Sequence, residues 1–194
     1  ELLPETPDVQ PSRAALLRDL GQMRDLVTDL LESERLASPH AALHREPTDL
    51  AALVAEVVAA LDGAPAIVQN LQAGVPVRQL DRTRMRLLLR NLLDNALRHS
   101  VDTARPPEVA LGQLADGAVQ ITVRDFGPGV PDDQLPLLAQ PFYRPDTART
   151  REGGGVGLGL YLCRLVALAH GGSLVVRNAQ PGLEVAVLLP VQGE

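Results

Sequence analysis

The chain has 194 residues, 45% of them hydrophobic but only 2% aromatic and none Trp, which suits one domain of ordinary size with a Leu, Val and Ala core plus an accessory element. A net charge of −6 argues against a nucleic-acid surface, because phosphate binding wants a basic field. The single Cys163 excludes an internal disulfide and a CxxC metal site, and no apolar run reaches the roughly 18 residues of a membrane span.

Taken in order, residues 12–36 read as one long helix that Ser12 can cap after Pro11. Leu16, Leu20, Met23, Val27 and Leu30 recur at alternating steps of four and three. Such an a/d seam suits a partner helix in a bundle or coiled coil, the alternative being an ordinary amphipathic helix lying on the domain. Residues 37–47 are linker-like, and Pro47-Thr48-Asp49 opens a helix over 49–61 with an N-cap signature. Short β segments are expected near 66–71 and 76–80, then a helix from Arg82 to His99. Alternating runs at 108–114 and 118–125 flank Ala115-Asp116-Gly117, a hairpin signal. Residues 126–154 are rich in Gly, Pro and charge, with an apolar patch only at 135–138; a connection that long is usually functional, often a lid. A helix over about 157–169, stopped by Gly171-Gly172, precedes strands at 173–178 and 183–189 that bracket the turn Ala179-Gln180-Pro181-Gly182. Helices mixed with mostly antiparallel strands, without βαβ alternation, predict an α+β two-layer sandwich.

Four stretches can carry chemistry. In "RMRLLLRNLLDNALRHS", Asn91, Asn95, Arg98 and His99 share a stripe at the edge of the apolar face. Two asparagines one turn apart can ligate a hard cation such as Mg²⁺ or simply bond neighbouring loops. "RDFGPG" ends a strand on Asp125 and breaks into Gly127 and Gly129; the carboxylate either accepts a hydrogen bond from an exocyclic amine or caps a turn. "PFYRPDTARTRE" holds Phe142 and Tyr143, two of the four aromatics, with Arg144, Arg149 and Arg151. These arginines can meet phosphate, or the stretch is a solvated basic loop with an aromatic anchor. "GGGVGLGL", residues 153–160, runs into a helix, so its backbone N–H groups can approach phosphate oxygens, a flexible hinge being the alternative.

These pieces, in this order, resemble the ATP-binding domain of sensor histidine kinases, in the wider family shared with gyrase, Hsp90 and MutL. "NLLDNALRH" looks like the N box, "DFGPG" the first glycine box, "PFYR" the F box and "GGGVGLGL" the second glycine box. The resemblance covers about residues 47–190, and residues 12–36 look similar to the second helix of a dimerisation and phosphoacceptor domain. It implies a Bergerat-type sandwich over 47–194 and a partial dimerisation region over 1–46. ATP and Mg²⁺ would lie under a mobile lid, with Asn95 on the metal, Asn91 in support, and Arg98 and His99 toward the phosphates. Asp125 would bind the adenine amine, with Gly127 and Gly129 shaping its pocket and Phe142 beside it. Arg144 would meet phosphate or the incoming histidine. Gly155, Gly157, Leu158 and Gly159 would form the phosphate-side hinge. The reaction implied is in-line transfer of the γ-phosphoryl to a histidine, for relay to the receiver domain of a response regulator. The implied setting is a homodimer anchored in the inner membrane with this part in the cytoplasm.

The sequence also departs from the pattern. Phe126 stands where many members carry a polar residue, and Val156 where a Thr is frequent. None of His40, His44, His99 and His170 has the acidic and Thr/Ser-Pro context of the family's acceptor. "ELLPETPDVQ" looks like the tail of the first bundle helix, so the acceptor is expected upstream, and the chain alone should bind ATP without normal autophosphorylation. It is expected to be a monomer or weak dimer. Two other classes stay open: a nucleotide-binding regulatory or scaffold module, and an ATPase of the gyrase, Hsp90 and MutL branch. The latter needs an acidic general base at position 91, where this chain has Asn.

Overall fold

The computed structural model describes residues 9–37, 42–61, 67–100, 103–145 and 156–191. Helix α1 (Val9–Ala37) begins one turn before Ser12. Pro11 is tolerated there because the first N–H groups of a helix lack intrahelical partners anyway. The seam residues Leu16, Leu20, Met23, Val27 and Leu30 are all exposed, so over this stretch α1 does not lie on the domain. Among its described residues the C-terminal end is the part that is engaged: Ser33 and Leu36 are buried, and Leu36 joins the core.

Strand β1 (Glu46–Thr48) stands where linker was expected. Three residues are too few to show an alternating pattern; pairing with β3 (Arg78–Leu80) defines the strand, and Pro47 is admissible because the ribbon has only two strands. Helices α2 (Leu50–Ala59) and α3 (Arg82–His99) start in the same way. Asp49 accepts from Ala52 N and Asp81 from Arg84 N, both at 3.1 Å, each satisfying a donor that the first turn leaves open.

The main sheet has five strands in the order β2-β4-β5-β7-β6: β2 (Val68–Leu71), β4 (Glu108–Gln113), β5 (Val119–Arg124), β7 (Leu183–Leu189) and β6 (Ser173–Asn178). Only β2 and β4 run parallel. The β4–β5 hairpin closes through Gly117, at φ +83°, whose N–H donates to Leu114 O. Residue alternation puts Val109, Leu111, Val119, Ile121, Val123, Val185, Val187 and Leu189 on one face. Against it pack Leu53, Val54, Met85, Leu88, Leu89, Leu92 and Leu93 from α2 and α3, and Leu162 and Val166 from α4 (Gly159–Ala169). The opposite residues of these strands are at least partly exposed, which makes the domain the expected two-layer α+β sandwich. A 3-10 helix, Asp132–Leu137, occupies part of the stretch expected to be irregular.

One buried clasp joins α3 to α4. The Asp81 N–H donates to His170 Nε2 at 3.0 Å, so that nitrogen carries no proton, and His170 Nδ1–H donates to Val166 O at 2.8 Å. The Asp81 carboxylate also accepts from His44 N. Burial lowers the His170 pKa from its usual 6.5, opposed by the Val166 carbonyl, reinforced by Arg45, opposed by Asp81 and reinforced by Arg84.

Candidate functional site

Strand β5 ends at Arg124, and the next residue, Asp125, is only 4% exposed. A buried carboxylate has to be hydrogen-bonded, and this one is. Its Oδ1 accepts from Gly127 N at 2.9 Å and from Leu183 N at 3.2 Å, while its own N–H donates to Leu183 O at 2.9 Å. Among the described residues no donor reaches Oδ2. The carboxylate is thus oriented through one oxygen, with the other left to accept. A Cβ at Gly127 would come within 2.6 Å of His99 O, so glycine lets this arc close on the C-terminal end of α3.

The N-box residues lie along that helix. Asn91 Nδ2 donates to Leu87 O at 3.0 Å, one turn back, which fixes the carboxamide. Its Oδ1 lies 2.9 Å from where a Cβ on Gly159 would stand, so the first residue of α4 packs directly on Asn91. Asn95 is half-buried one turn further on, His99 is half-buried and Arg98 exposed. Three of the four expected motifs therefore converge: the asparagine helix, the Asp125 arc and the entry of α4.

The F box and the second glycine box meet each other. Phe142 N donates to Gly157 O at 3.1 Å, and a Cβ at Gly157 would lie 2.8 Å from Tyr143 O and 3.2 Å from Arg144 Cγ. Gly157 has φ +86°, which only glycine adopts freely. Phe142 itself has φ +63° and is 59% exposed, so in this conformation its backbone, not its ring, makes the described contact. Arg144 is half-buried, Leu158 buried and Val156 exposed. Leu158 gives the N-terminus of α4 no side-chain cap, and the first N–H groups of a helix have no intrahelical partner. Gly153, Gly154, Gly155, Arg149, Arg151 and His40 lie outside the described residues.

Phe126, which stands where many members carry a polar residue, is buried. Two guanidinium groups pack over its ring, Arg105 at 3.9 Å and Arg124 at 4.7 Å from the ring centre, as cations do on an aromatic face. The sequence places a turn between β6 and β7 but gives it no part in the site, and here the structure adds to the reading. That turn contains a cis Gln180–Pro181 bond and Gly182 at φ +86°, where any Cβ would collide with the backbone oxygen of Asp125. The available signal was Pro181-Gly182, which marks a turn but not what the turn touches.

A two-layer sandwich with a carboxylate at a strand end, an asparagine helix above it and a glycine-rich helix entry is an ATPase-type nucleotide-binding domain. Residues 80–193 match the family of histidine kinase-, DNA gyrase B-, and HSP90-like ATPases, and the chain belongs to it. It is similar to the signal transduction histidine-protein kinase AfsQ2 of Streptomyces coelicolor, 34% identical over 94% of this chain and 33% of the relative. The histidine-protein kinase BaeS of Escherichia coli K12 is 33% identical over 92% of this chain and 39% of its own length. Among solved structures, full-length ShkA in complex with AMPPNP superposes with a TM-score of 0.79 at 26% identity, covering 98% of this chain and 40% of that one. The chain thus spans only 33% and 39% of the length of these two sequence relatives. Among the described residues no helix is long and apolar enough to cross a membrane.

Proposed function

We propose that this chain binds ATP with Mg²⁺ between α3, the Asp125 arc and the Phe142–Gly157 contact, and that it supplies the catalytic part of a protein-histidine kinase. The observation that carries this reading is Asp125: buried, held by two backbone N–H groups through Oδ1, and with Oδ2 left to accept the exocyclic amine of adenine. Gly127 and Gly129 let the arc close against His99 and Asn178 and so shape the pocket wall beside the base, with Phe142 at the margin.

The donor set suits a hard cation that arrives with its phosphates. The carboxamides of Asn91 and Asn95 share a stripe, and among the described residues no cluster of three His, Cys, Asp or Glu would make a separate protein cage. Asn95 would ligate Mg²⁺ and Asn91 would support it. Bound Mg²⁺ supplies charge neutralisation to the β- and γ-phosphates. Arg98, His99 and Arg144 face the phosphates, while Gly155, Gly157, Leu158 and Gly159 bring the uncapped N–H groups of α4 to them.

The chemistry is in-line transfer. The bond from the γ-phosphorus to the bridging oxygen breaks, ADP leaves, an N–P bond forms to imidazole, and the imidazole N–H proton departs. The acceptor belongs to the phosphoacceptor helix of the same protein or its dimer partner, and the group passes on to an Asp of a response regulator. His170, with both nitrogens bonded inside the domain, is not an acceptor. Residues 1–46 form part of the dimerisation region and 47–194 the catalytic domain. The whole protein is a homodimer anchored in the inner membrane, with this part cytoplasmic.

The test is calorimetric titration with ATP, with and without Mg²⁺, of the parent chain, Asp125→Asn and Asn95→Ala. Asp125→Asn puts an NH₂ where an acceptor is needed and should weaken binding about 10- to 100-fold. Asn95→Ala should abolish only the Mg²⁺-dependent part. A parent that binds no ATP overturns the reading.

A further inference from the structure

One polar side chain beside this site has no role in the reading above: Asn178, the last residue of β6. Its carboxamide grips the chain just beyond the glycine arc. Nδ2 donates to Val130 O at 2.8 Å and to Asp132 Oδ1 at 2.7 Å, and Oδ1 accepts from Val130 N at 3.2 Å. Satisfying both backbone groups of one residue imitates a step of a β ladder, and it does so where Gly129 forces a turn at φ +70°.

The partner of Asn178 across the hairpin is Leu183. Leu183 pairs with Asp125 in the equivalent way, through Asp125 N to Leu183 O at 2.9 Å and Leu183 N to Asp125 Oδ1 at 3.2 Å. The arc from Asp125 to Val130 is therefore fastened at both ends to two facing residues of one hairpin. A Cβ on Gly129 would stand 2.8 Å from Asn178 Oδ1, so the arc is seated directly on that side chain. The 3-10 helix begins at Asp132, so the same grip also sets the base of the segment leading to Phe142.

We propose that Asn178 is a positioning residue for nucleotide binding: it fixes the far end of the arc, and through the arc the direction in which Asp125 Oδ2 meets the base. The proposal rests on the nucleotide reading of Asp125. Its chemistry is specific. Ala makes none of the three bonds. Asp keeps the acceptor for Val130 N but loses both donors and sets a negative charge against Asp132. Pairing Asn178→Asp with Asp132→Asn returns a donor to that contact, because the amide introduced at position 132 then donates to the new carboxylate.

The experiment combines ATP titration of the full chain with amide exchange at Val130, measured by NMR at a temperature where every variant is folded. Asn178→Ala should weaken ATP about tenfold and speed exchange of the Val130 N–H. Asn178→Asp should also weaken ATP, and adding Asp132→Asn should recover much of that loss, which mere loss of stability would not do. Arg177→Ala, the neighbouring exposed residue of the same strand, should bind ATP within about twofold of the parent. If the parent binds ATP and Asn178→Ala binds equally well, this proposal falls alone. It falls likewise if affinity drops while Val130 exchange is unchanged, or if the paired variant recovers nothing. A parent that binds no ATP overturns it together with the nucleotide reading.

Discussion

Gly182 shows how much a single residue decides at this site. At φ +86° a Cβ there meets the Asp125 backbone oxygen, which is neither flexible nor free to retreat, since Asp125 is pinned through Leu183. Gly182→Ala should cost about 2–4 kcal/mol, combining a left-handed residue with backbone overlap, as read by chemical denaturation. It should also weaken ATP, because the strain falls on the carboxylate proposed to read the base. Gly159 is the opposite case. It sits in ordinary helical conformation at the start of α4, and the atom it would crowd is a side-chain oxygen, Asn91 Oδ1 at 2.9 Å. Gly159→Ala should leave stability within about 1 kcal/mol of the parent, since Ala is the better helix former. Titration should nonetheless find Mg²⁺–ATP affinity reduced, because the asparagine has to move.

Between elements, the contact that orders the two site helices is the His170–Asp81 clasp. It ties the end of α4 to the start of α3, and through the Asp81 carboxylate to His44 in the segment after α1. The clasp needs neutral imidazole, for a protonated Nε2 would point an N–H at the Asp81 N–H. Burial lowers the folded pKa of His170 below 6.5, so between the folded and unfolded values the unfolded chain holds more protons. This contribution to stability is therefore complete above about pH 6.5 and declines as pH falls from there toward the folded value. His170→Gln should lower stability at neutral pH yet flatten the decline as pH falls below about 6.5, as followed by urea denaturation. An unchanged slope would mean that other groups set the acid limit.

Across the whole molecule, the core and the α1 seam are energetically separate. Leu20 and Val27 are 61% and 54% exposed, whereas Leu93 is fully buried between α3 and the sheet. Leu93→Ala should cost about 2–5 kcal/mol, as read by chemical denaturation. Leu20→Ser with Val27→Ser should change the thermal midpoint of the dilute chain very little, and ATP affinity not at all. If the double variant loses ATP binding, the seam is coupled to the site and the separation is wrong.

What could be read in advance follows the range of the interactions involved. The α3 boundaries, Arg82 to His99, were legible because they bracket a strongly periodic run, a matter of neighbours within four residues. Strands β6 and β7 were legible for the same reason, through alternation and the Pro181-Gly182 turn. The four motifs named the family, since the residue types that handle a nucleotide are few and their order is a property of the chain. Strand β1 was not legible, because three residues become a strand only when β3 arrives from about 30 residues downstream. Nor was the role of the β6–β7 turn: Asn178, Gly182 and Leu183 look like ordinary hairpin residues until the fold sets them against an arc about 50 residues earlier. The chain by itself determined which groups are available, the Asp125 carboxylate, the asparagine pair and the glycines. Only the tertiary structure decided which oxygen of Asp125 is held and which is left to accept, because the donors that hold Oδ1 come partly from a strand nearly 60 residues away.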